Sequence, residues 1–506
     1  MNRTDPFYGY SLLLKTIVYV LVPLFLGLQM ARIRRALHVF QLEGYKRKRF
    51  LEWCRANPKR AWFMKRMTSK KPLVMTGRAW RILVTSVILN VLGVLVIPGI
   101  AHLIGGWPYD LGLWAAMTGL LFYAIRWTVL LSDVLLSPFQ SFVNSRYLDS
   151  ARRRLAEVSP AVIGVTGSFG KTSTKFAIEG LLGPAGTVLA TPGSYNTPLG
   201  VCRTINESLK NSHDYFVVEM GAYGRTEIAE LCRFVRPRVG VLTAIGPAHL
   251  ERFGDLDNVR LAKYEIIEAL PPDGVAVMNT DDAEVRALAD RTEGVGLRRY
   301  GLRPEGYPDV TATDVEITSS GTRFTILAGG ESVTVQTRLL GRHAIGHVLA
   351  AVAVATSLGR SVSELQGPIE ALKPVEHRLQ IVEGTGGVTV IDDAYNSNPE
   401  GAAAALEVLA AIPGRRKVVV TPGIIELGPL QESANRRFGE QAAAVADTLI
   451  VVAHVNREAI VAGARPDRTD VVAVDSLAAA QEKLSQILQR GDVVLFENDL
   501  PDQYEN

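Results

Sequence analysis

The sequence AVIGVTGSFGKTSTK, at Ala161–Lys175, is a short apolar run that enters a glycine-bounded loop. A loop of this kind between a strand and a helix wraps backbone N–H groups around a polyphosphate. Here Lys171 supplies a mobile positive charge, and the Thr172 hydroxyl supplies a ligand for Mg²⁺. The helix-compatible run Ser173–Leu182 follows directly. The segment therefore predicts that the chain binds ATP.

The loop departs from the strict eight-residue phosphate-loop pattern. Val165 stands where that pattern has its first glycine, so the motif here is T-G-x-x-G-K-T over Thr166–Thr172. A GKT triplet alone is common in loops, and the flanking strand and helix are what favour nucleotide binding over a structural loop. The nucleotide-binding residues predicted from the motif are Thr166, Gly167, Gly170, Lys171, Thr172 and Ser173.

Short β-branched runs alternate with helical runs after about residue 151, which predicts an α/β fold with parallel sheets. The segment Asp309–Thr337 instead has the two-residue alternation of antiparallel hairpins, and Gly346–Leu358 reads as an alanine-rich helix. The predicted parallel strands are Val162–Val165, Tyr215–Met220, Val239–Thr243, Val275–Asn279, Val388–Ile391, Lys417–Thr421, Thr448–Val452, Val471–Val474 and Val493–Phe496.

Three apolar runs near the start of the chain suggest a membrane module. Ser11–Met30, Ile82–Ile104 and Leu111–Leu131 are each long enough to cross about 30 Å of hydrocarbon. Buried helices of a globular protein are the alternative, although such helices rarely stay apolar on every face. We expect three transmembrane helices, or two with an interfacial first or third segment.

Residues 31–81 carry 16 Lys and Arg residues and only Glu43 and Glu52 as acids. Basic loops beside membrane spans stay on the cytoplasmic side, and their charge attracts anionic lipid headgroups. Nucleic acid is a less favoured partner for this loop, because the loop lies between the predicted spans. This predicts a multi-pass protein of the cytoplasmic membrane with its later domains in the cytoplasm. Three scattered cysteines indicate neither disulfides nor a zinc site.

The chain thus divides into three predicted domains. A membrane module with a basic loop occupies residues 1–150. A central, phosphate-loop, ATPase-like domain occupies residues 151–375, and a Rossmann-like domain occupies residues 376–506.

Further polar residues follow the strands of the central domain. Glu219 lies at the end of an apolar strand, where open α/β sheets place their ligand groups, and a carboxylate there suits Mg²⁺. His249 and Lys263 follow the next strand. Taken alone, His249 would be a hydrogen-bonded structural histidine and Lys263 a solvated helix lysine.

Together these segments resemble the Mur ligase family, the ATP-dependent amide ligases of peptidoglycan assembly. The resemblance covers roughly residues 158–500, and its further motifs are SYNTPLGV (194–201), VVEMGA, HLERFG, GRHAIGHVLAA (341–351), EHRLQIV (376–382), IDDAYNSNP (391–399) and ELG (426–428). The motifs IDDAYNSNP and HLE-x-FG are most similar to the branch that adds D-alanyl-D-alanine to a muramoyl tripeptide.

The resemblance implies roles for individual residues. Lys171 and Thr172 would bind the ATP phosphates and a first Mg²⁺, with Glu219 as the acid on that metal. His249 would bind a second Mg²⁺, aided by Lys263, a lysine that many members carbamylate. Asn196 and Thr197 would face the acceptor substrate. The remaining implied nucleotide contacts are His347, Arg378, Asp393 and Asn396.

The reaction implied is the ATP-driven joining of a carboxylate to an amine through an acyl phosphate. The partners implied are a muramoyl-peptide precursor, UDP-linked or lipid-linked, and an amino acid or dipeptide. Three motifs depart from the family pattern: the adenine motif reads H-A-I-G-H, which leaves the base contact open, Gly423 replaces an acid, and the acidic end LFENDLPDQYEN leaves the amine substrate open. The predicted membrane module also stands where this branch has a domain that binds UDP, which leaves the acceptor open. The alternatives are a polyglutamate-synthase-like ligase, a ligase for another lipid-linked carboxylate, and a catalytically silent nucleotide-binding scaffold.

Overall fold

The computed structural model describes residues 22–63, 72–105, 119–247, 250–318, 320–395, 397–452, 454–464 and 469–499. The chain divides into two compact units, residues 1–146 and 147–506. The three cysteines are buried free thiols.

The described part of the first unit is helical. Its helices are α1 (Val22–Leu42), α2 (Arg47–Ala56), α3 (Pro58–Phe63), α4 (Gly77–Gly105) and α5 (Ile125–Val158), the last of which continues into the second unit. Phe40, Phe50, Ile82 and Val129 belong to its apolar core.

Polar side chains line the contact between helices α1, α4 and α5. The Ser86 and Ser132 hydroxyls lie 2.8 Å apart, the Asn90 amide donates to Thr128 Oγ1 at 3.3 Å, and Gln29 donates to Asn90 Oδ1 at 3.5 Å. Apolar side chains spaced four residues apart are exposed on the same three helices. These apolar rows are Leu24 and Leu28 on α1, Val84, Ile88, Leu92 and Val96 on α4, and Trp127, Leu131, Leu135 and Phe139 on α5.

None of the helices within the described ranges combines the length and apolar content needed to cross a bilayer. The prediction of three membrane spans is therefore not supported and is corrected here. The predicted span Ile82–Ile104 falls within α4, where Ser86 and Asn90 interrupt the apolar run and bind neighbouring helices. Residues 11–21 and 111–118 of the other two predicted spans lie outside the described residues.

The second unit begins with a nine-stranded sheet. Its order is β2-β3-β1-β4-β5-β6-β7-β8-β9; the pairs from β2 to β7 are parallel, and β7–β9 form antiparallel hairpins. The strands are β1 (Ala161–Thr166), β2 (Val188–Ala190), β3 (Tyr215–Glu219), β4 (Val239–Leu242), β5 (Val275–Asn279), β6 (Gly296–Tyr300), β7 (Val310–Thr318), β8 (Gly321–Ala328) and β9 (Glu331–Thr337).

Helices cover both faces of this sheet. They are α6 (Lys171–Leu182), α7 (Pro198–Ser208), α8 (Glu227–Val235), α9 (Leu250–Phe253), α10 (Leu256–Glu268), α11 (Ala283–Ala289), α12 (Arg342–Ser357) and α13 (Gln366–Glu370). Helices α6 and α12 share one core with alternate residues of β1, and α8 and α10 share the other. The β1 strand is thus buried on both faces, which explains its unbroken apolar sequence.

A six-stranded sheet follows, in the order β10-β11-β15-β12-β13-β14, with only β10 antiparallel to its neighbour. The strands are β10 (Gln380–Glu383), β11 (Thr389–Asp393), β12 (Lys417–Thr421), β13 (Thr448–Val452), β14 (Asp470–Val474) and β15 (Val493–Glu497). The helices are α14 (Pro399–Ala411), α15 (Gln431–Val445), α16 (Arg457–Ala464) and α17 (Leu477–Ile487). The prediction of an α/β fold with parallel sheets is confirmed.

Candidate active site

The glycine-bounded loop lies at the centre of the large sheet. It joins β1 to α6, and β1 is flanked by β3 and β4. The backbone angle φ is +151° at Gly167 and +77° at Gly170. A Cβ atom at position 167 would lie 2.0 Å from the Thr243 hydroxyl oxygen, so only glycine fits there. The loop and the first turn of α6 therefore offer backbone N–H groups to an anion at the carboxyl edge of the sheet.

The Lys171 side chain folds back over this loop. Its ammonium donates to the carbonyl oxygens of Gly167 at 2.7 Å and Ser168 at 3.1 Å. Burial lowers the pKa of Lys171 to about 8, Glu219 opposes that shift, and Arg378 adds to it. Both of these acceptors are neutral carbonyl groups. A phosphate oxygen would form a stronger hydrogen bond with the ammonium, because hydrogen bonds between charged groups are stronger than those to neutral groups.

Glu219 ends β3 directly beside the loop. It is paired in register with Val165 of β1, and its side chain is buried. The Thr172 hydroxyl donates to Glu219 Oε2 at 2.9 Å, and the Asn196 amide donates to Oε1 at 3.0 Å. The Thr172 and Glu219 oxygens are hard ligands at one point beside a phosphate loop. They fit Mg²⁺, which takes one or two protein oxygens and completes its shell with phosphate and water.

The predicted second metal ligand, His249, lies outside the described residues. Among the residues that are described, no group of three or more His, Cys, Asp or Glu side chains could hold an ion. The role of His249 therefore stays a prediction.

Lys263 is buried on α10, contrary to the simple interpretation of a solvated helix lysine. It lines a cavity of about 40 Å³ together with Lys171, Asn196 and the loop residue Gly167. Burial lowers the pKa of Lys263 to about 7, Lys171 lowers it further, and nearby acids oppose the shift. A lysine with such a pKa carries a substantial neutral fraction at physiological pH, and the neutral amine is the nucleophilic form.

A second cavity, of about 290 Å³, lies between the two sheets of this unit. Its wall includes Gly170 and Ser173 from the phosphate loop and α6, His347 from α12, and Arg378 and Asp393 from the start of the second sheet. The cavity joins the phosphate loop to residues about 200 positions later in the chain. Its place beside the loop and its mixed apolar and polar wall fit the base and ribose of a nucleotide.

Two histidines stand on one face of α12 in this cavity. His347 Nδ1 lies 3.0 Å from the Thr174 hydroxyl, and the His343 ring is 6.0 Å from the His347 ring in an edge-on arrangement. Burial lowers the pKa of His343 to about 4 and that of His347 to about 3. Both imidazoles are therefore neutral at pH 7, and each ring can donate one hydrogen bond and accept another.

Arg378 and Asp393 bring the second sheet to the cavity. The Arg378 guanidinium stacks 4.5 Å from the centre of the Tyr395 ring. Burial raises the pKa of Asp393 to about 6, while Arg378 and a hydrogen bond from the Leu379 backbone N–H oppose the shift. A carboxylate and a guanidinium at this place suit a ribose hydroxyl and a phosphate, respectively.

The other predicted site residues have more local partners. The Thr166 hydroxyl donates to the Met220 carbonyl oxygen at 2.8 Å and so joins two strand ends. Thr197 caps α7, where its hydroxyl oxygen accepts from the Gly200 backbone N–H at 3.4 Å. Asn396 lies outside the described residues.

Two residues at the site were missed by sequence reasoning, Lys175 and His343. Lys175 is fully buried one helical turn after Lys171, with its ammonium 3.5 Å from Glu219 Oε2. The four-residue spacing from Lys171 was a usable signal, because it puts both lysines on one face of α6. His343 was equally visible as the first histidine of H-A-I-G-H.

Comparison with known proteins gives consistent matches. The sequence model of the Mur ligase middle domain matches residues 165–355, and that of the Mur ligase, glutamate ligase domain matches residues 377–497. The UDP-N-acetylmuramoyl-tripeptide–D-alanyl-D-alanine ligase of Mycobacterium tuberculosis (strain H37Rv) is 35% identical over 358 residues, which are 66% of this chain and 69% of the relative. The enzyme of the same name from Escherichia coli (strain K12) is 34% identical over 342 residues, 66% of this chain and 75% of the relative.

A solved structure agrees with these sequence matches. MurF ligase from Thermotoga maritima, in complex with ADP, superposes with a TM-score of 0.63 at 29% identity. The superposition covers 70% of this chain and 80% of that one.

Proposed function

This chain belongs to the Mur ligase family, and from that membership we propose that it is an ATP-dependent, ADP-forming amide ligase of peptidoglycan synthesis. The substrates we propose are a muramoyl tripeptide as the carboxylate and D-alanyl-D-alanine as the amine, as the names of its relatives state for those proteins. The observation that carries the proposal is the set of Lys171, Thr172 and Glu219 around one glycine-bounded loop.

The proposed reaction has two steps. The substrate carboxylate attacks the γ-phosphorus of ATP, ADP leaves, and an acyl phosphate forms. The amine then attacks the acyl carbon, loses a proton, and expels phosphate, leaving an amide bond. ATP is consumed because a carboxylate is a poor acyl donor at neutral pH.

The chain's own residues prepare the first step. The loop N–H groups and Lys171 neutralise the charge of the phosphate oxygens. To reach a phosphate, the Lys171 ammonium exchanges its hydrogen bonds to the Gly167 and Ser168 carbonyl oxygens for one to a phosphate oxygen. Thr172 and Glu219 would hold Mg²⁺, which supplies Lewis-acid charge neutralisation at the phosphates. Arg378 and Asp393 enclose the nucleotide from the second sheet and exclude water.

We further propose that Lys263 is carbamylated in the active enzyme. Its neutral amine would attack CO₂ and lose a proton to give a carbamate anion. The support is its burial beside Lys171 and its lowered pKa, because a buried ammonium next to a second ammonium is costly. A carbamate would balance the Lys171 charge and offer oxygen atoms to a second Mg²⁺.

We also propose that the first unit contacts lipid. Ser86, Asn90, Thr128 and Ser132 are buried between its helices, while the apolar rows on α1, α4 and α5 are exposed. Exposed apolar surface of this extent marks an interaction site. The basic residues between 31 and 81 favour a bilayer surface with anionic headgroups as the occupant. Lipid contact would favour a lipid-linked muramoyl peptide over a UDP-linked one as the acceptor.

The test is a product assay with the full-length protein. The protein is incubated with ATP, D-alanyl-D-alanine or other amines, and a UDP-linked or a lipid-linked muramoyl tripeptide in parallel. We expect mass spectrometry to show an amide product, with one ADP and one phosphate released per bond. The Lys171→Ala variant should form none, and retained turnover in that variant would contradict the phosphate-loop assignment. Nucleotide binding without any amide product would favour the scaffold alternative.

A further inference from the structure

Lys175 is a buried cation for which the proposed mechanism has no use. Its side chain is fully buried in the second turn of α6. The ammonium donates to the Gly193 carbonyl oxygen at 2.5 Å, lies 3.5 Å from Glu219 Oε2, and sits 4.1 Å from the centre of the Phe176 ring. The shortest of these contacts is to a backbone carbonyl group of a loop.

The loop in question, residues 191–197, reaches Glu219 from a second direction. The Thr191 hydroxyl oxygen accepts from the Glu219 backbone N–H at 3.1 Å. The Asn196 amide donates to Glu219 Oε1 at 3.0 Å, and the Asn196 carbonyl oxygen accepts from the Gly221 backbone N–H at 2.9 Å. Both ends of the 191–197 loop are thus tied to the metal-binding acid, and Gly193 lies midway between them.

The same loop also contacts the second sheet. The Ser194 hydroxyl is hydrogen-bonded to the Tyr395 hydroxyl, and Tyr395 stacks under Arg378. A continuous set of contacts therefore runs from α6 through Lys175 and Gly193 to Ser194, Tyr395 and the nucleotide cavity.

A buried ammonium is a poor choice for packing alone. Removing an unpaired charge from water costs several kcal/mol, and an apolar side chain of similar length would fill the space at lower cost. Lys175 instead satisfies a carbonyl group and an acid that belong to two separate segments. This arrangement indicates that Lys175 fixes the position of the Gly193 carbonyl group relative to Glu219.

We propose that Lys175 is a positioning residue of the ligase reaction. It ties the 191–197 loop to the phosphate-loop helix and so holds Glu219 and Asn196 in register with the nucleotide phosphates and the acceptor. This inference rests on the proposed function, because it assigns Lys175 to the same site.

The test compares Lys175→Met, which removes charge and donor, with Lys175→Arg, which keeps both. Lys210→Met serves as the matched control, because Lys210 is an exposed lysine after α7. Two quantities are measured on full-length protein: the kcat and KM of the ligase reaction, and hydrogen exchange of the 191–197 amides.

We expect Lys175→Met to lower kcat by about 30-fold or more with KM for ATP changed less than about threefold, since a displacement of about 1 Å at a reacting group can cost about 100-fold. Exchange in the 191–197 loop should accelerate by about tenfold or more, while amides of the phosphate loop stay unchanged. Lys175→Arg should recover part of kcat, and Lys210→Met should match the wild type in both measurements.

Wild-type exchange at the 191–197 loop in Lys175→Met, or a kcat within twofold of wild type, would overturn the proposal. If Lys175→Met does not fold, Lys175→Gln, which keeps an N–H donor without the charge, carries the same comparison. A wild-type protein that binds ATP with Mg²⁺ but forms no amide would contradict the proposed function alone, and hydrogen exchange would still decide the role of Lys175.

Discussion

Three buried or partly buried lysines, Lys171, Lys175 and Lys263, surround the phosphate loop and share few acidic partners. Glu219 influences the pKa of the first two, and burial lowers the pKa of all three. Such a site is poorly solvated and electropositive when no nucleotide is present. It is therefore prepared for polyphosphate and for a carboxylate substrate, both of which bring the missing negative charge.

Lys263 provides a direct chemical test of this charge balance. We expect Lys263→Ala to lose most ligase activity, because the carbamate that would offset Lys171 can no longer form. Formate or acetate should restore part of that activity by occupying the vacated space as an anion. The measurement is phosphate release with increasing carboxylate, and Lys171→Ala is the control that no carboxylate should rescue. Absence of rescue in Lys263→Ala would indicate a plain structural lysine.

Asp393 should make stability depend on pH. Its pKa is raised from 3.8 to about 6 in the folded protein, so the folded state holds the proton more tightly than the unfolded state. The free energy of unfolding contributed by this group is therefore greatest below pH 4 and is lost as the pH rises through about 6. Asp393→Asn should melt a few degrees higher than wild type at pH 7.5 and at the same temperature at pH 4.

The measurement for Asp393 is thermal unfolding without nucleotide, followed by ATP binding at pH 7.5. We expect the Asn variant to bind ATP more weakly although it is more stable, because an amide is a weaker acceptor than a carboxylate. Equal melting temperatures of the Asp393→Asn variant and the wild type at pH 7.5 would show that burial does not raise the pKa of Asp393 in the folded protein.

Strand ends explain how the sequence could indicate that some of these residues lie near one another. Glu219 is the last residue of β3, and Lys171 and Thr172 begin α6 after the short loop that follows β1, so the apolar runs before them indicate where they lie. The four-residue spacing from Lys171 indicated which face of α6 Lys175 lies on, but not its contact with the Gly193 carbonyl oxygen, which comes from a separate segment of the chain. Of the two histidines of α12, His347 was a predicted nucleotide contact and His343 was missed, although both stand in the H-A-I-G-H motif.

At the level of elements, a substitution at Thr197 can distinguish a structural role in α7 from the predicted contact with the acceptor. Thr197 is the N-cap of α7, and Pro198 occupies the first helical position. Loss of a threonine cap costs about 1 kcal/mol of stability. We expect Thr197→Ala to lower the free energy of unfolding by about that amount while KM for the acceptor stays unchanged. An increase in that KM at unchanged stability would instead support the predicted substrate contact.

The order of the strands could not be read from the sequence. Alternating β and α runs predicted parallel sheets, and every predicted parallel strand overlaps a strand of the structure. Strand β1 lies between β3 and β4, however, and β15 is inserted between β11 and β12. These neighbours are set by which helices pack on each face, which is a property of the whole sheet.

At the scale of the whole molecule, the apolar rows predict binding to vesicles. We expect the full-length protein to sediment with anionic vesicles more than with zwitterionic ones, and less at high salt, because basic residues accompany the apolar rows. The double variant Ile88→Asp with Leu131→Asp should reduce sedimentation strongly. Leu477→Asp, an exposed apolar residue on α17, is the control that should leave it unchanged. Equal sedimentation of all three proteins would contradict lipid contact through these rows.

The membrane prediction is the part of the sequence analysis that the described residues do not support. Apolar length suggested the spans, and in the structure Ser86, Asn90 and Thr128 take part in polar contacts between α4 and α5.

The cavity shared by Gly170, Arg378 and Asp393 has a consequence for how the protein is made. On the ribosome the phosphate loop emerges before the residues of the second sheet. The sheet around β1 can therefore form while the residues beyond β9 are still unsynthesised. The wall of the cavity is complete only when residues up to Gly401 of α14 have been made, because Asp393, Glu400 and Gly401 line it. We therefore expect a chain that stops before these residues to bind ATP more weakly, and ATP to stabilise the folded chain by mass action once they are in place.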